Sequence, residues 1–162
     1  MAEKSLLDGK RILAVDDEPD VLETLEALLP MCVVVKASTA EQAKKLMDTQ
    51  TFDIAILDIM GVDGYKLLEM AKKKKIIPVM LTAHALSVES TIKSFKGGAA
   101  SYVPKDEMSK IETFLTDILE AKTKGESSWW RWLDRLGAYY ERKFGREWQK
   151  DDKDFWRNFP SW

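Results

Sequence analysis

Arg11-Ile12-Leu13-Ala14-Val15-Asp16-Asp17-Glu18-Pro19 is an apolar run that stops abruptly at three acids and a proline. A short β-rich run of this kind reads as a buried strand whose carboxyl end meets carboxylates. Pro19 suits the first turn of a helix, and Val21, Leu22, Leu25, Leu28 and Leu29 follow at helical spacing until Pro30. The same strand-then-helix alternation recurs down the chain. Cys32 to Val35 is a second strand, and Thr39 with Gln42 forms a capping box for a helix carrying Ala43, Leu46 and Met47. Ile54 to Leu57 is a third strand ending at Asp58, followed by a loop with Gly61 and Gly64 and a helix with Leu67, Leu68 and Ala71. Pro78 to Leu81 is a fourth, ending at Thr82; Ser87 caps the next helix and Gly97-Gly98 closes it. Ala100 to Val103 is the fifth, with Tyr102 inside it and Lys105 just beyond. Met108, Ile111, Phe114, Leu115, Ile118 and Leu119 make the last apolar stripe of this unit.

Five repeats of strand and helix predict a doubly wound parallel sheet with helices on both faces. Ligands of such sheets bind outside the carboxyl ends of the strands. Those ends carry Asp16, Asp17, Asp58, Thr82 and Lys105, so three carboxylates, a hydroxyl and an ammonium converge on one edge. Crowded carboxylates repel, and a hard cation such as Mg2+ relieves the repulsion. A carboxylate is a competent nucleophile toward phosphorus, and phosphoryl transfer needs positioning and cationic neutralisation more than a general base.

Composition narrows the alternatives. The chain has 162 residues with 25 basic and 27 acidic side chains, a balance that argues against a whole-surface nucleic-acid binder. A single cysteine, Cys32, and a single histidine, His84, leave no disulfide framework and no multi-ligand zinc site. No phosphate-binding loop of the GxxxxGK type is present. No secretion signal and no membrane-length apolar run is visible, so the expected compartment is the cytoplasm. Residues 1–121 hold 15 basic and 20 acidic groups, whereas residues 122–162 hold 10 and 7, all six tryptophans and 11 of the 16 aromatic residues. Two composition regimes predict two units: residues 1–121, a linker at 122–128, and a helical extension at 129–162.

The series Val15-Asp16-Asp17-Glu18-Pro19, Leu57-Asp58-Ile59-Met60 with Asp63-Gly64, Leu81-Thr82-Ala83, and Gly97-Gly98-Ala99 before Tyr102-Val103-Pro104-Lys105 resembles the receiver domain of two-component response regulators over about residues 10–121. The resemblance implies a flavodoxin-like five-stranded sheet of order 2-1-3-4-5. It implies Asp58 as phosphoacceptor and Mg2+ as cofactor, held by Asp17, Asp58 and the backbone carbonyl of Met60, with Asp16 acting through a metal-bound water. It implies that Lys105 pairs with the phosphoryl oxygens, that Thr82 moves toward them, and that Tyr102 turns inward behind Thr82. The expected partners are a histidine kinase or histidine phosphotransfer protein and a downstream protein, with a homodimer as a further possibility and nucleic acid excluded. This chain departs from the family in two places. The loop after Asp58 is shorter than usual and lacks its proline, and Pro104 precedes Lys105 where the family usually has a proline after the lysine. Rival readings are a phosphorylation-independent scaffold and an aspartate-nucleophile phosphohydrolase; the latter usually has a second acid where this chain has Met60.

In the extension, Ser128 is read as a helix cap. Trp129, Leu133, Leu136, Tyr140 and Phe144 form one stripe, widened by Trp132 and Tyr139, and Gly145 ends the helix. Arg131, Asp134, Arg135, Glu141 and Arg142 fall largely off that stripe. A second short helix is expected around Trp148, Phe155, Trp156 and Phe159, ending at Pro160. The stripe, with Trp129, Trp132, Leu133, Leu136 and Tyr140 as its docking residues, is read as folding onto its own receiver or into a dimer, or as binding a partner protein. A membrane surface is the disfavoured third reading. A tail docked in this way could be released on phosphorylation. No helix-turn-helix pattern is present.

Overall fold

The computed structural model describes residues 5–83, 87–149 and 155. The elements run β1 (Arg11–Val15), α1 (Pro19–Leu28), β2 (Val33–Ala37), α2 (Ala40–Thr49), β3 (Ile54–Asp58), α3 (Gly64–Lys73), β4 (Ile77–Thr82), α4 (Val88–Lys96), β5 (Ser101–Pro104), a 3-10 segment (Lys105–Lys110), α5 (Ile111–Lys124) and α6 (Trp129–Phe144). The strands form one parallel sheet of order β2-β1-β3-β4-β5, the doubly wound order expected. All five residues of β3 are buried, as a strand covered on both faces requires. Ile54, Ile56 and Leu57 are wholly enclosed, each contributing about 1.5–3 kcal/mol relative to exposure.

Local chemistry sets the helix starts. The Thr39 hydroxyl accepts from the Gln42 N–H at 3.1 Å, while the Gln42 side chain reaches back to the Ser38 N–H at 2.9 Å, one residue earlier than the usual capping box. The Ser87 hydroxyl accepts from the Ser90 N–H at 3.1 Å. At the short loop after β3 the chain turns through Asp63 in the left-handed region (φ 57°), a conformation that Asp tolerates better than most side chains. A Cβ on Gly64 would lie 2.3 Å from the Asp58 carbonyl oxygen, so the shortened loop closes only over a glycine.

Several expectations need correction. The second strand begins at Val33 and runs to Ala37, later than Cys32–Val35. Met108 lies in the 3-10 segment and not in α5. α5 runs on through Lys124, into the stretch read as linker, and stops at Gly125 in the left-handed region (φ 70°). Ser128 does not cap α6; its hydroxyl donates to the Ala100 carbonyl at 2.6 Å, and Ser127 accepts from the Trp129 N–H instead. Tertiary contact outweighs capping there. His84, Trp156, Phe159, Pro160 and Trp162 lie outside the described residues.

α6 lies against α4, β5 and α5. Trp129, Trp132, Leu136 and Tyr140 are buried, and Leu133, Tyr139 and Phe144 are partly buried against the core. The Trp129 indole N–H donates to the Ala99 carbonyl at 2.9 Å and the Trp132 indole N–H to the Tyr102 carbonyl at 2.7 Å. Phe95 of α4 meets Trp129 edge-on with centroids 4.4 Å apart, and Phe155 at 5.0 Å. Arg131 and Arg135, read as off the stripe, flank it: Arg135 grips both oxygens of Asp117 on α5, and Arg131 pairs with Glu120. A bidentate guanidinium on a nearly buried Asp117 fixes orientation as well as adding attraction. Trp130, by contrast, is half exposed. Among the described residues no helix is long and apolar enough to cross a membrane.

Candidate functional site

The parallel register brings the strand ends level. Val15 pairs with Leu57, Asp58 with Leu81, and Thr82 with Pro104. Asp16 and Asp17 leave β1, Asp58 closes β3, Thr82 closes β4 and Lys105 follows β5, all on one edge of the sheet.

Asp16, Asp58 and Thr82 are buried there. The Lys105 ammonium lies 2.8 Å from Asp16 Oδ2, 3.2 Å from Glu18 Oε1 and 3.8 Å from Asp58 Oδ1. Asp16 Oδ1 accepts from the Glu18 N–H at 2.9 Å, and Asp58 Oδ2 from the Gly61 N–H at 3.1 Å. One ammonium thus bridges β1, the start of α1 and β3. Burial tends to lower the Lys105 pKa, but the close Asp16 contact and the charges of Asp58 and Asp16, with help from Glu18, outweigh it and raise it, so the side chain is a firm cation.

The Asp58 carboxyl is held above its ordinary range. Burial is the main cause and the Asp16 charge the next, opposed by Lys105 and by the Gly61 N–H, with Asp17 adding to the rise. The ionised carboxylate is disfavoured in the fold, so Asp58 costs stability above the unfolded value of 3.8, a cost that disappears below it. In metal-free buffer at pH 7, Asp58→Asn is therefore expected to raise the Tm, and the gain should vanish in acid. Calorimetry across pH checks this; a lower Tm at pH 7 contradicts it.

A metal fits the acids by donor chemistry and by space. Asp16, Asp17 and Glu18 each offer an oxygen within 4.8 Å of the others. A Cβ on Gly61 would lie 2.4 Å from Asp17 Oδ1 and 2.6 Å from Asp58 Oδ2, so the two carboxylates face the same space across a residue with no side chain. Hard oxygen donors around such a gap suit a cation of the Mg2+ kind. The Met60 side chain is 80% exposed at the rim.

Tyr102 is turned inward, 1% exposed, with its hydroxyl 3.0 Å from Ser90 Oγ. Burial pushes its pKa up to about 12 against the opposing pull of the Ser90, Thr82 and Thr91 hydroxyls, so it stays a neutral phenol.

Sequence reasoning named Asp16, Asp17, Asp58, Thr82, Tyr102 and Lys105 for this edge. It did not assign Glu18 to Lys105, and it missed Gly61, Ser90 and Thr91. Glu18 stood in the acidic run and could have been found there; the other three carry no local signal.

Fold and site together define a doubly wound α/β protein with an acidic, lysine-bridged corner at the carboxyl edge of its sheet. The family profile described as the response regulator receiver domain matches residues 12–116. The chain belongs to that family. Among curated proteins it is 37% identical over 103 residues to two-component response regulator ARR18 of Arabidopsis thaliana, covering 60% of this chain and 16% of that protein. It is 34% identical over 110 residues to ORR25 of Oryza sativa subsp. japonica, covering 64% and 16%. The match is thus a small part of the length of these relatives. Among solved structures, a CheY-like receiver domain protein from Methanospirillum hungatei is 29% identical with a TM-score of 0.62, covering 72% of this chain and 99% of that one. The BeF3-activated receiver domain of DrrB, a Thermotoga maritima protein, is 28% identical with a TM-score of 0.61, covering 69% and 98%. α6 lies beyond the family match.

Proposed function

We propose that this chain is a phosphorylation switch of a two-component phosphorelay, acting in the cytoplasm. Residues 1–121 are its receiver unit and residues 129–162 its extension, with output through protein–protein contacts and not through DNA. Asp58 takes a phosphoryl group from the phosphohistidine of a histidine kinase or histidine phosphotransfer protein. An Asp58 oxygen forms the new O–P bond as the N–P bond breaks and the imidazole leaves. Bound Mg2+ supplies charge neutralisation at the phosphoryl oxygens; Asp17, Asp58 and the Met60 carbonyl would hold it, with Asp16 acting through a water. Lys105 neutralises a second oxygen, and the Thr82 hydroxyl turns to a third with Tyr102 inward behind it.

The observation that carries this reading is the single ammonium shared by Asp16, Glu18 and Asp58, which leaves a nucleophilic carboxylate beside a fixed cation. The test is incubation with a small acyl phosphate and Mg2+. One acid-stable, base-labile phosphoryl group per chain is expected, not formed when the metal is chelated beforehand and absent from Asp58→Asn. Equal labelling of that variant would remove the assignment. Turnover of many equivalents of a phosphate ester would make the chain a hydrolase, and partner binding with no labelling at all would make it a scaffold.

A further inference from the structure

From the seat of α6 we infer that the C-terminal helix is a latch on the phosphoacceptor: docked through Tyr140 on Thr91 and Trp132 on Tyr102, it favours the phosphorylated form of Asp58. The inference rests on the receiver reading and gives the coupling a sign.

Two routes run from α6 to Tyr102, which stands beside Thr82 at one small void. The first is a line of hydroxyls. Tyr140 and Thr91 share a buried hydrogen bond of 2.7 Å, and Ser90, next to Thr91 on α4, meets the Tyr102 hydroxyl at 3.0 Å. The Thr91 hydroxyl is shared between Tyr140 and the Ser87 carbonyl at 3.3 Å, which ties the α6 ring to the first turn of α4. The second route is the backbone of β5, whose Tyr102 carbonyl takes the Trp132 indole N–H at 2.7 Å. Thr82, Tyr102 and Tyr140 also wall one void of about 10 Å³, no more than the space of a single water. Tyr102 is therefore held at its hydroxyl and at its backbone, under a lid made by α6.

The sign follows from what phosphorylation asks of Thr82. A phosphoryl oxygen on Asp58 draws the Thr82 hydroxyl toward it, out of the small void that Thr82 shares with Tyr102. With α6 docked, the Tyr102 phenol keeps its Ser90 partner, its ring stays inward, and the phenol is not orphaned. With α6 undocked, Tyr102, Ser90 and Thr91 open to water and the ring gains outward rotamers. Ordering Tyr102 then becomes part of the cost of phosphorylation. A first event that has already ordered a residue lowers the cost of a second that needs it ordered, which is positive coupling. Docking and phosphorylation must then promote each other by the same factor.

The experiment uses the full chain with Mg2+ and beryllium trifluoride as the phosphoryl probe. Tyr140→Phe keeps the ring, and Thr91→Val keeps the shape, but each removes the shared hydrogen bond. Each is expected to bind the probe about fivefold more weakly than the parent, the effect of one hydrogen bond. The double variant should be no weaker than either single one, because both remove the same bond. Arg142→Gln, on the exposed face of α6, should bind as the parent does. In the parent, the probe should raise hydrogen-exchange protection of α6 amides. Parent-like binding by both single variants, or loss of α6 protection when the probe binds, overturns the latch; the second result would mean release instead of clamping. Failure of the parent itself to bind the probe overturns the receiver reading beneath it, a result distinct from either.

Discussion

Gly61→Ala is expected to abolish Mg2+-dependent phosphorylation while leaving the fold intact. The added methyl would stand 2.4 Å from Asp17 Oδ1 and 2.6 Å from Asp58 Oδ2, distances that real Cβ atoms do not reach. What it meets is side chain and not backbone, so the two carboxylates swing apart and the chain path survives. Gly64 is the contrast, because its Cβ would strike the Asp58 carbonyl oxygen at 2.3 Å and the Ile59 Cα at 2.8 Å, neither of which can move without the loop. Displacing metal-orienting groups costs on the order of 10–100-fold in metal affinity. Mg2+ titration and acyl-phosphate labelling of Gly61→Ala check the first effect, and thermal denaturation checks the second. Parent-like labelling would mean that the space between Asp17 and Asp58 is not where the cation sits. Gly64→Ala should instead lower the Tm outright.

Trp132→Ala is expected to detach α6. Its indole is 1% exposed, stands 5.0 Å from Trp129 and 5.1 Å from Tyr140 between ring centroids, and donates to the Tyr102 carbonyl. Truncating a buried aromatic of this size costs about 3–5 kcal/mol. Most of the loss falls on the docking of one helix, so it should be read first as lost hydrogen-exchange protection in α6, before global unfolding. Trp132→Phe should recover most of the packing but not the hydrogen bond. Unchanged protection in Trp132→Ala would mean that the aromatic stripe does not hold the helix down.

The strands were legible because each is a short apolar run ending at a chemically distinct residue. Asp58 and Thr82 close their strands and Lys105 follows the last one, so parallel pairing alone brings them to one edge. The caps at Thr39 and Ser87 were legible because their partners lie three residues away. Contacts between distant segments were not. Lys105 reaches Glu18 across 87 residues of sequence, and Thr91 meets Tyr140 across 49, with nothing in either neighbourhood to announce it. Ser128 was misread for the same reason: the Ala100 carbonyl, 28 residues back, takes the hydroxyl that local rules assign to a cap. Arg131 and Arg135 were placed by periodicity off the apolar stripe, yet Asp117 and Glu120 on α5 turn them into the rim of the docked face.

β5 is the last strand of the sheet, and the segment leading through it offers the Ala99, Ala100 and Tyr102 carbonyls to Trp129, Ser128 and Trp132. An open sheet margin with unpaired carbonyls is a template for strand addition and aggregation. A receiver cut after α5 would bare that margin, so the shortened protein should self-associate with rising concentration where the whole chain stays dispersed.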